Sequence, residues 1–325
     1  TFKVPIKENF FQDGHQKVEI QETVRGKDLY MLTDIGNYSG EYKMHGFINH
    51  TSPNDLMIQL LDGIGACSSH ARNINIVEPL LWAGRQHRKN TRENLMCGMM
   101  LHILDGLNKV SRFVTFDAHD PGVEHAVYNM EFNNFFPTNE ILEDFINNTP
   151  IEQLKKIDFV APDNGATGRR NVYLNSFNTQ NIHREAGSFV KQRDYNHVVD
   201  GKNPVTSHDY SGNGDLAGYT AIVSDDMISS GDSVIDVAKQ LKEKGAKRIF
   251  VFATFGLFCN GLENIDNAHS EGLIDRIFTT NLVYSTPELL SRKWYAEVNM
   301  CKYVAYIVDT LNHDRTISHL LNQSK

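Results

Sequence analysis

The sequence predicts an α/β protein of two domains, each a mainly parallel sheet flanked by helices, and three observations predict it. Short β-branched or aromatic runs alternate along the chain with stretches whose apolar residues recur at helical spacing. Strand, helix and strand repeated in that way build parallel sheets covered on both faces. The chain has 325 residues, and at roughly 100 to 200 residues per domain it holds two cores rather than one. A helical pattern breaks at Asn147-Asn-Thr-Pro150 just ahead of a new strand signal, so the domains are expected over residues 1–150 and 151–325.

Taken in order, 29–33 reads as a strand followed by a helix over 54–67, then 73–77 by 93–107, then 112–116 by 138–146. The second half continues with strands over 157–161, 220–224, 248–254 and 276–279. The best-marked helix spans 233–244, where Val234, Val237, Ala238 and Leu241 share a face and Gly245 provides the stop. Its neighbour, 248–254, is apolar at nearly every position and reads as a buried strand. Residues 37–53, rich in Gly, Asn and aromatic residues, and 195–218, rich in Gly, Asp, Asn and His, follow neither period. Both are read as long loops serving function or an interface.

Thirty-two basic against 40 acidic side chains leave a formal charge of −8. Such a chain lacks the global positive field that gathers nucleic acid, so a phosphate-bearing ligand has to be met by local cations. The cysteines Cys67, Cys97, Cys259 and Cys301 fall at neither metal-ligand nor redox spacing and read as buried, reduced thiols. The first residues lack signal-peptide architecture, and the longest apolar run, 249–259, falls short of the roughly 20 residues that cross a bilayer. A cytoplasmic protein with neither nucleic-acid nor membrane partner is expected.

Four segments carry chemistry. Ala221-Ile-Val-Ser-Asp-Asp-Met-Ile-Ser-Ser-Gly-Asp-Ser233 runs from a strand through two acids and a small-residue turn into a helix. Backbone N–H groups at such a helix start favour an anion, and the acids suit sugar hydroxyls or magnesium; alone, the segment also fits a capped turn whose acids complement the helix dipole. Phe159-Val-Ala-Pro-Asp-Asn-Gly-Ala-Thr-Gly-Arg-Arg170 repeats the logic, with Gly165 and Gly168 permitting close approach and Arg169 neutralising an anion. Gly84-Arg-Gln-His-Arg-Lys-Asn-Thr-Arg-Glu93 carries four cations and one acid; in isolation that is a solvated face, but after the strand at 73–77 it suits a polyphosphate. Phe113-Val-Thr-Phe-Asp-Ala-His-Asp120 ends a strand in Asp117, His119 and Asp120, a set able to ligate a divalent ion or simply to form hydrogen bonds.

In this order, Val24-Arg-Gly-Lys-Asp28, Arg85-Gln-His-Arg-Lys89, Asp117 with His119, Pro162-Asp-Asn-Gly165, Lys191-Gln-Arg193 and Asp225-Asp-Met-Ile228 resemble the ribose-phosphate pyrophosphokinases over residues 10–320. The resemblance implies two phosphoribosyltransferase-like (type I) domains, with the C-terminal helix able to pack back on the first. It also implies transfer of the β,γ-diphosphate of ATP to the anomeric hydroxyl of ribose 5-phosphate, with Mg2+, in nucleotide biosynthesis.

Residue by residue, the resemblance assigns ATP contacts to Phe11, Asp13, Arg85, Gln86 and His119, with Phe11 and Asp13 reaching adenine from a neighbouring subunit, hence a homo-oligomer built on dimers. It gives the diphosphate to Asp163, Asn164, Gly165 and Arg169, and magnesium to His119 and Asp163. Asp225 and Asp226 would hold ribose hydroxyls, and Ser229, Ser230, Gly231, Asp232 and Ser233 the 5′-phosphate. Lys191 and Arg193 would be the mobile-loop pair that stabilises the transferring group. The basic run, Arg169, Arg170, Lys191 and Arg193 would then form a cationic ring around acidic turns.

The chain departs from the family pattern at His15, His87 and Phe255, and above all at Asp232, a carboxylate within the phosphate turn. Like charges at contact repel, so Asp232 either points away, pairs with a nearby cation, or favours a phosphodiester acceptor such as ADP-ribose, the alternative to ribose 5-phosphate. A phosphoribosyltransferase would explain the Asp225 segment but not the Arg85 run. A catalytically inactive regulatory homologue is opposed by retention of Lys191, Arg193, Asp163, His119 and the paired acids.

Overall fold

The computed structural model describes residues 3–89, 92–107, 109–150, 154–177, 182–193 and 205–321, with 191–193 and 205–208 described by backbone alone. The described chain forms two compact units: residues up to 135 with 282–284 and 303–321, and residues 136–281 with 285–302. The change of unit therefore falls before the helix that a boundary at residue 150 would assign to the first domain.

In the first unit, β1 (Ile6–Phe10) and β2 (Gln16–Ile20) form an antiparallel hairpin, followed by β3 (Asp28–Leu32). Within the stretch expected to be a loop, β4 (Glu41–Met44) and β5 (Phe47–His50) form a second hairpin. His45 and Gly46 turn it with φ of 49° and 88°, the positive-φ pair of a two-residue hairpin turn that matches strand twist. Helix α1 (Pro53–Ser68) starts with a capping box, in which Ser52 Oγ accepts the Asp55 N–H and the Asp55 carboxylate accepts the Ser52 N–H. Next come β6 (Asn73–Val77), α2 (Met96–Asp105), β7 (Val110–Phe116) and β8 (Glu131–Phe135).

Strands β3, β6, β7 and β8 make a parallel sheet in that order. Met57, Leu60 and Ile64 of α1 and Cys97, Leu101 and Leu104 of α2 pack on one face with Ile74, Ile76 and Phe113. The opposite face uses Phe116 and Phe135 against Tyr303, with ring centroids 6.2 and 6.4 Å apart.

The second unit contains α3 (Thr138–Asn148), β9 (Lys156–Ala161), α4 (Thr167–Ser176), β10 (His183–Arg193), β11 (Val205–Ser211), β12 (Thr220–Ile228) and α5 (Asp232–Glu243). It continues with β13 (Arg248–Gly256), α6 (Glu263–Ser270), β14 (Arg276–Thr280), α7 (Pro287–Leu290) and β15 (Tyr295–Val298). Helices α8 (Cys301–Asn312) and α9 (Ser318–Leu321) carry residues 303–321 of the first unit. The sheet order is β11-β10-β9-β12-β13-β14-β15, parallel except for the β10–β11 pair.

Strand β13 alternates faces as the pleat requires. Ile249, Val251 and Ala253 join Val234, Val237 and Leu241 of α5, while Phe250 and Phe252 meet Phe145 of α3 at 5.1 and 5.2 Å. The second expected loop is likewise strand over Val205–Ser211; its residues 195–204 lie outside the described ones. Cys67 and Cys97 are buried free thiols, but Cys259 and Cys301 are exposed, correcting the expectation for that pair because both follow strand ends at the surface. No helix among the described residues is long and apolar enough to cross a membrane.

Candidate active site

The topology of the second sheet selects a place before any side chain is considered. After β9 the chain crosses to β10 on one side and then returns to β12 on the other, so β9 and β12 are adjacent parallel strands whose connections leave in opposite directions. The crevice outside their carboxyl ends, at such a switch point, is where open α/β sheets bind ligands. Both acid-bearing turns of the second unit emerge there.

Strand β12 runs through the acids to Ile228 instead of stopping at Ser224, because β13 continues alongside it and pairs Asp225 with Ala253 and Ile228 with Gly256. Asp226 is buried, and the Asp225 side chain keeps 26% exposure beside the Arg169 guanidinium, 3.8 Å away. Asp225 Oδ1 accepts the Asp226 N–H. Burial first and the Asp226 charge second hold the Asp225 carboxyl well above the usual carboxylate range, against the opposing pull of Arg169.

Ser229 to Ser233 then lead into α5. Gly231 is buried with φ of 87°, a backbone conformation that requires glycine, and a Cβ there would also come within 2.9 Å of Ile265 Cδ1. The Asp232 N–H donates to Ser230 Oγ at 3.4 Å, and Asp232 is an exposed first residue of the helix. Across the crevice, Asp163 accepts the Ala166 N–H through one of its two oxygens, shaping the Asp163-Asn164-Gly165 turn that opens α4.

Arg169 and Arg170 diverge because successive helical residues are separated by about 100°. Arg169 faces Asp225, whereas Arg170 is buried and donates to the Gly187 carbonyl, which removes it from the expected cationic ring. Lys191 and Arg193 lie at the end of β10 with their backbone paired to β11 opposite His208 and Val205. They stand on a strand ribbon, not in an open loop.

In the first unit, Arg85 and Gln86 are exposed on the turn after β6, where Ala83 takes φ of 54°. His87 Nε2 and Arg88 Nη2 each lie 3.5 Å from Asp120 Oδ2, and the His87 ring is 5.2 Å from that of His119. The basic run and the end of β7, read separately in the sequence, are therefore one cluster. Asp120 is held below the usual range, first by the Gly122 N–H and, against its partial burial, by the neighbouring His87 and Arg88. Asp117 beside them is buried at φ of 42°, a strained non-glycine conformation of the kind that gathers at functional sites. Phe11 and Asp13 sit exposed on the β1–β2 turn.

Among the described residues no three His, Cys, Asp or Glu side chains cluster to hold a metal. Magnesium binds commonly through one or two carboxylates, waters and substrate phosphates, and Asp163, with one oxygen committed to the backbone, suits that mode.

Glu78 is the residue the sequence reading missed, although an acid inside Asn75-Ile-Val-Glu-Pro-Leu-Leu-Trp82 was a signal. It is fully buried beneath the Arg85 turn, where Oε1 accepts the Trp82 N–H at 2.8 Å and Oε2 meets no partner among the described residues. Burial pushes its carboxyl up to about 8. The folded protein therefore binds a proton that the unfolded chain has released at neutral pH, so this stabilisation is complete at low pH and is lost as pH rises through about 8. Between about pH 7 and about pH 9 the wild type should lose about 1 kcal/mol that Glu78→Gln does not lose. Parallel thermal melts check this, and identical pH slopes would refute it.

Residues 3–107 match the family model described as the N-terminal domain of ribose phosphate pyrophosphokinase, and residues 192–322 the phosphoribosyl synthetase-associated domain. The chain is 24% identical over 315 residues to a ribose-phosphate pyrophosphokinase of Vibrio cholerae, covering 96% of this chain and 89% of the relative. A ribose-phosphate pyrophosphokinase of Nostoc is 26% identical over 284 residues, covering 86% and 74%. In fold, the chain is similar to the crystal structure of phosphoribosylpyrophosphate synthetase from Mycobacterium smegmatis, with a TM-score of 0.74 at 18% identity over 96% of this chain and 91% of that one.

Proposed function

Because the chain belongs to the ribose-phosphate pyrophosphokinase family, we propose that it transfers the β,γ-diphosphate of ATP to the anomeric hydroxyl of ribose 5-phosphate and releases AMP. The observation that carries this reading is the Asp225–Asp226 pair at the switch-point crevice, with Arg169 on one side and the Ser229 to Ser233 turn at the start of α5 on the other. Carboxylates accept from vicinal ribose hydroxyls, and orphan N–H groups at a helix start receive a phosphate.

The anomeric oxygen attacks the β-phosphorus and AMP leaves, a displacement that needs alignment and positive charge more than covalent help. Asp225 and Asp226 orient the sugar; Asp163, Asn164, Gly165 and Arg169 hold the diphosphate; Lys191 and Arg193 stabilise charge developing on the transferring group. Arg85, Gln86 and His119 bind ATP, and Phe11 and Asp13 bind its base. Magnesium, for which His119 and Asp163 are the assigned residues, supplies charge neutralisation on phosphate oxygens when bound. The assembled enzyme is a homo-oligomer and acts in the cytoplasm.

Asp232 favours a second reading of the acceptor. A carboxylate at the first residue of α5 opposes a terminal phosphate dianion more than it opposes the single charge of a diester, which suits ADP-ribose. Mg-ATP supplied with ribose 5-phosphate or with ADP-ribose, in parallel, should yield AMP at least about tenfold faster with ribose 5-phosphate. A preference for ADP-ribose reassigns the acceptor, and AMP from neither defeats the diphosphotransferase reading.

A further inference from the structure

The β4–β5 hairpin packs on the turn of the β1–β2 hairpin, the turn that presents Phe11 and Asp13. Its inward positions are Tyr42 and Met44, partly buried, whereas Lys43 and His45 are exposed, the alternation of a strand with one covered face. The Tyr42 ring stacks on Phe10, with centroids 4.1 Å apart and planes within 8°. Met44 Sδ lies 2.5 Å from the position a Cβ on Gly14 would take, and Gly14 has φ of 92°. The His45 N–H donates to the Gln12 carbonyl at 3.2 Å. The turn closes on itself as well, through the Phe11 N–H to the His15 carbonyl at 2.7 Å.

The hairpin is anchored in turn. Burial and then Asp55, the capping acid of α1, raise the Tyr42 hydroxyl above its usual value, and the Thr51 N–H donates to the Gly40 carbonyl at the hairpin's base. A two-stranded turn has little rigidity of its own, yet Phe11 is held 52% exposed at its tip, a flat apolar ring presented to solvent.

We propose that the β4–β5 hairpin is a buttress that positions Phe11 for the base of the nucleotide, with Tyr42 as the positioning residue through which it acts. The inference rests on the reading of Phe11 and Asp13 as base contacts. Stacking depends on ring placement and, where it operates, removing one aromatic partner weakens binding severalfold or more. Taking away the Tyr42 ring leaves Phe11 in place chemically but no longer held, so affinity for the nucleotide falls without loss of any group that touches it.

The test is equilibrium binding of Mg-ATP to the full chain by titration calorimetry, for wild type, Tyr42→Ala, Tyr42→Phe, Met44→Ala and Phe11→Ala. Tyr42→Ala should raise Kd about fivefold or more, Met44→Ala less, and Tyr42→Phe should stay within about twofold of wild type because the stacked ring survives. The Tyr42→Ala/Phe11→Ala pair should bind no worse than Phe11→Ala alone, since both changes act through one contact. If Phe11→Ala weakens binding while Tyr42→Ala and Met44→Ala do not, the buttress is refuted and the base-contact reading stands. If Phe11→Ala has no effect, or the wild type does not bind ATP, the base-contact reading falls and the buttress with it.

Discussion

Replacing Lys191 by alanine should lower turnover by roughly 10²- to 10³-fold while leaving the Kd for Mg-ATP within about threefold. The expectation follows from where β10 carries that residue. Pairing with β9 ends at Ser188 opposite Ala161, but β10 continues to Arg193 against β11 alone. At about 3.3 Å per residue, the strand outruns its inner neighbour by a substantial step, toward the end at which Asp163 and Asp225 emerge. Charge spreads over the oxygens of the transferring group only as the phosphorus–oxygen bond loosens. A cation reserved for that moment contributes to turnover and not to ground-state binding. Lys191→Arg should recover part of the rate, because it restores charge without the compact ammonium geometry. Single-turnover AMP release beside ATP titration separates the two quantities, and a loss of less than about tenfold would remove Lys191 from its assigned role.

A single methyl group at Gly231 is the second large effect. With φ of 87° and Ile265 Cδ1 2.9 Å from the added Cβ, Gly231→Ala meets both backbone strain and a steric contact. The contact is with the end of a flexible side chain, which can move; the left-handed backbone cannot be relieved so cheaply and costs about 1–2 kcal/mol. The turn yields instead, displacing the N–H groups at the start of α5. A misplacement of about 1 Å can cost about 10²-fold in rate. We therefore expect kcat/KM for the acceptor to fall by about that factor with ATP affinity unchanged, and Gly231→Asn to be milder because asparagine tolerates the left-handed region. Acceptor kinetics within about threefold of wild type would show that the turn does not receive the phosphate.

Much of the frame was readable because it is written in local periodicity. Helix α5 and strand β13 lie within one or two residues of their expected positions, since a 3.6-residue stripe and a continuous apolar run each have one good burial solution. The hairpin at 41–50 was not readable. Its apolar side is satisfied by Phe10, a ring far away in the chain, and its His-Gly turn carries none of the usual signals. The same holds for β11, whose Tyr210 crosses above Gly187 and donates to Asp158 on β9; those partners come from separate strands, and no window of sequence contains them. The complete burial of Glu78 is likewise a result of the turn that packs above it, with the Trp82 N–H donating to its carboxylate.

The sequence by itself determined the α/β class, because local periodicity suffices for it, and through its resemblance to known relatives the family; it also put the paired acids and the small-residue turn forward as candidates, because residue type and short spacing mark them. Tertiary structure decided the extension of β12 through the acids, the opposite facing of Arg169 and Arg170, the union of His87 and Arg88 with Asp120, and the stacking of one hairpin on another. Each of these depends on which distant backbone lies alongside, and that is settled by packing across strands and hairpins rather than by the residues next in line.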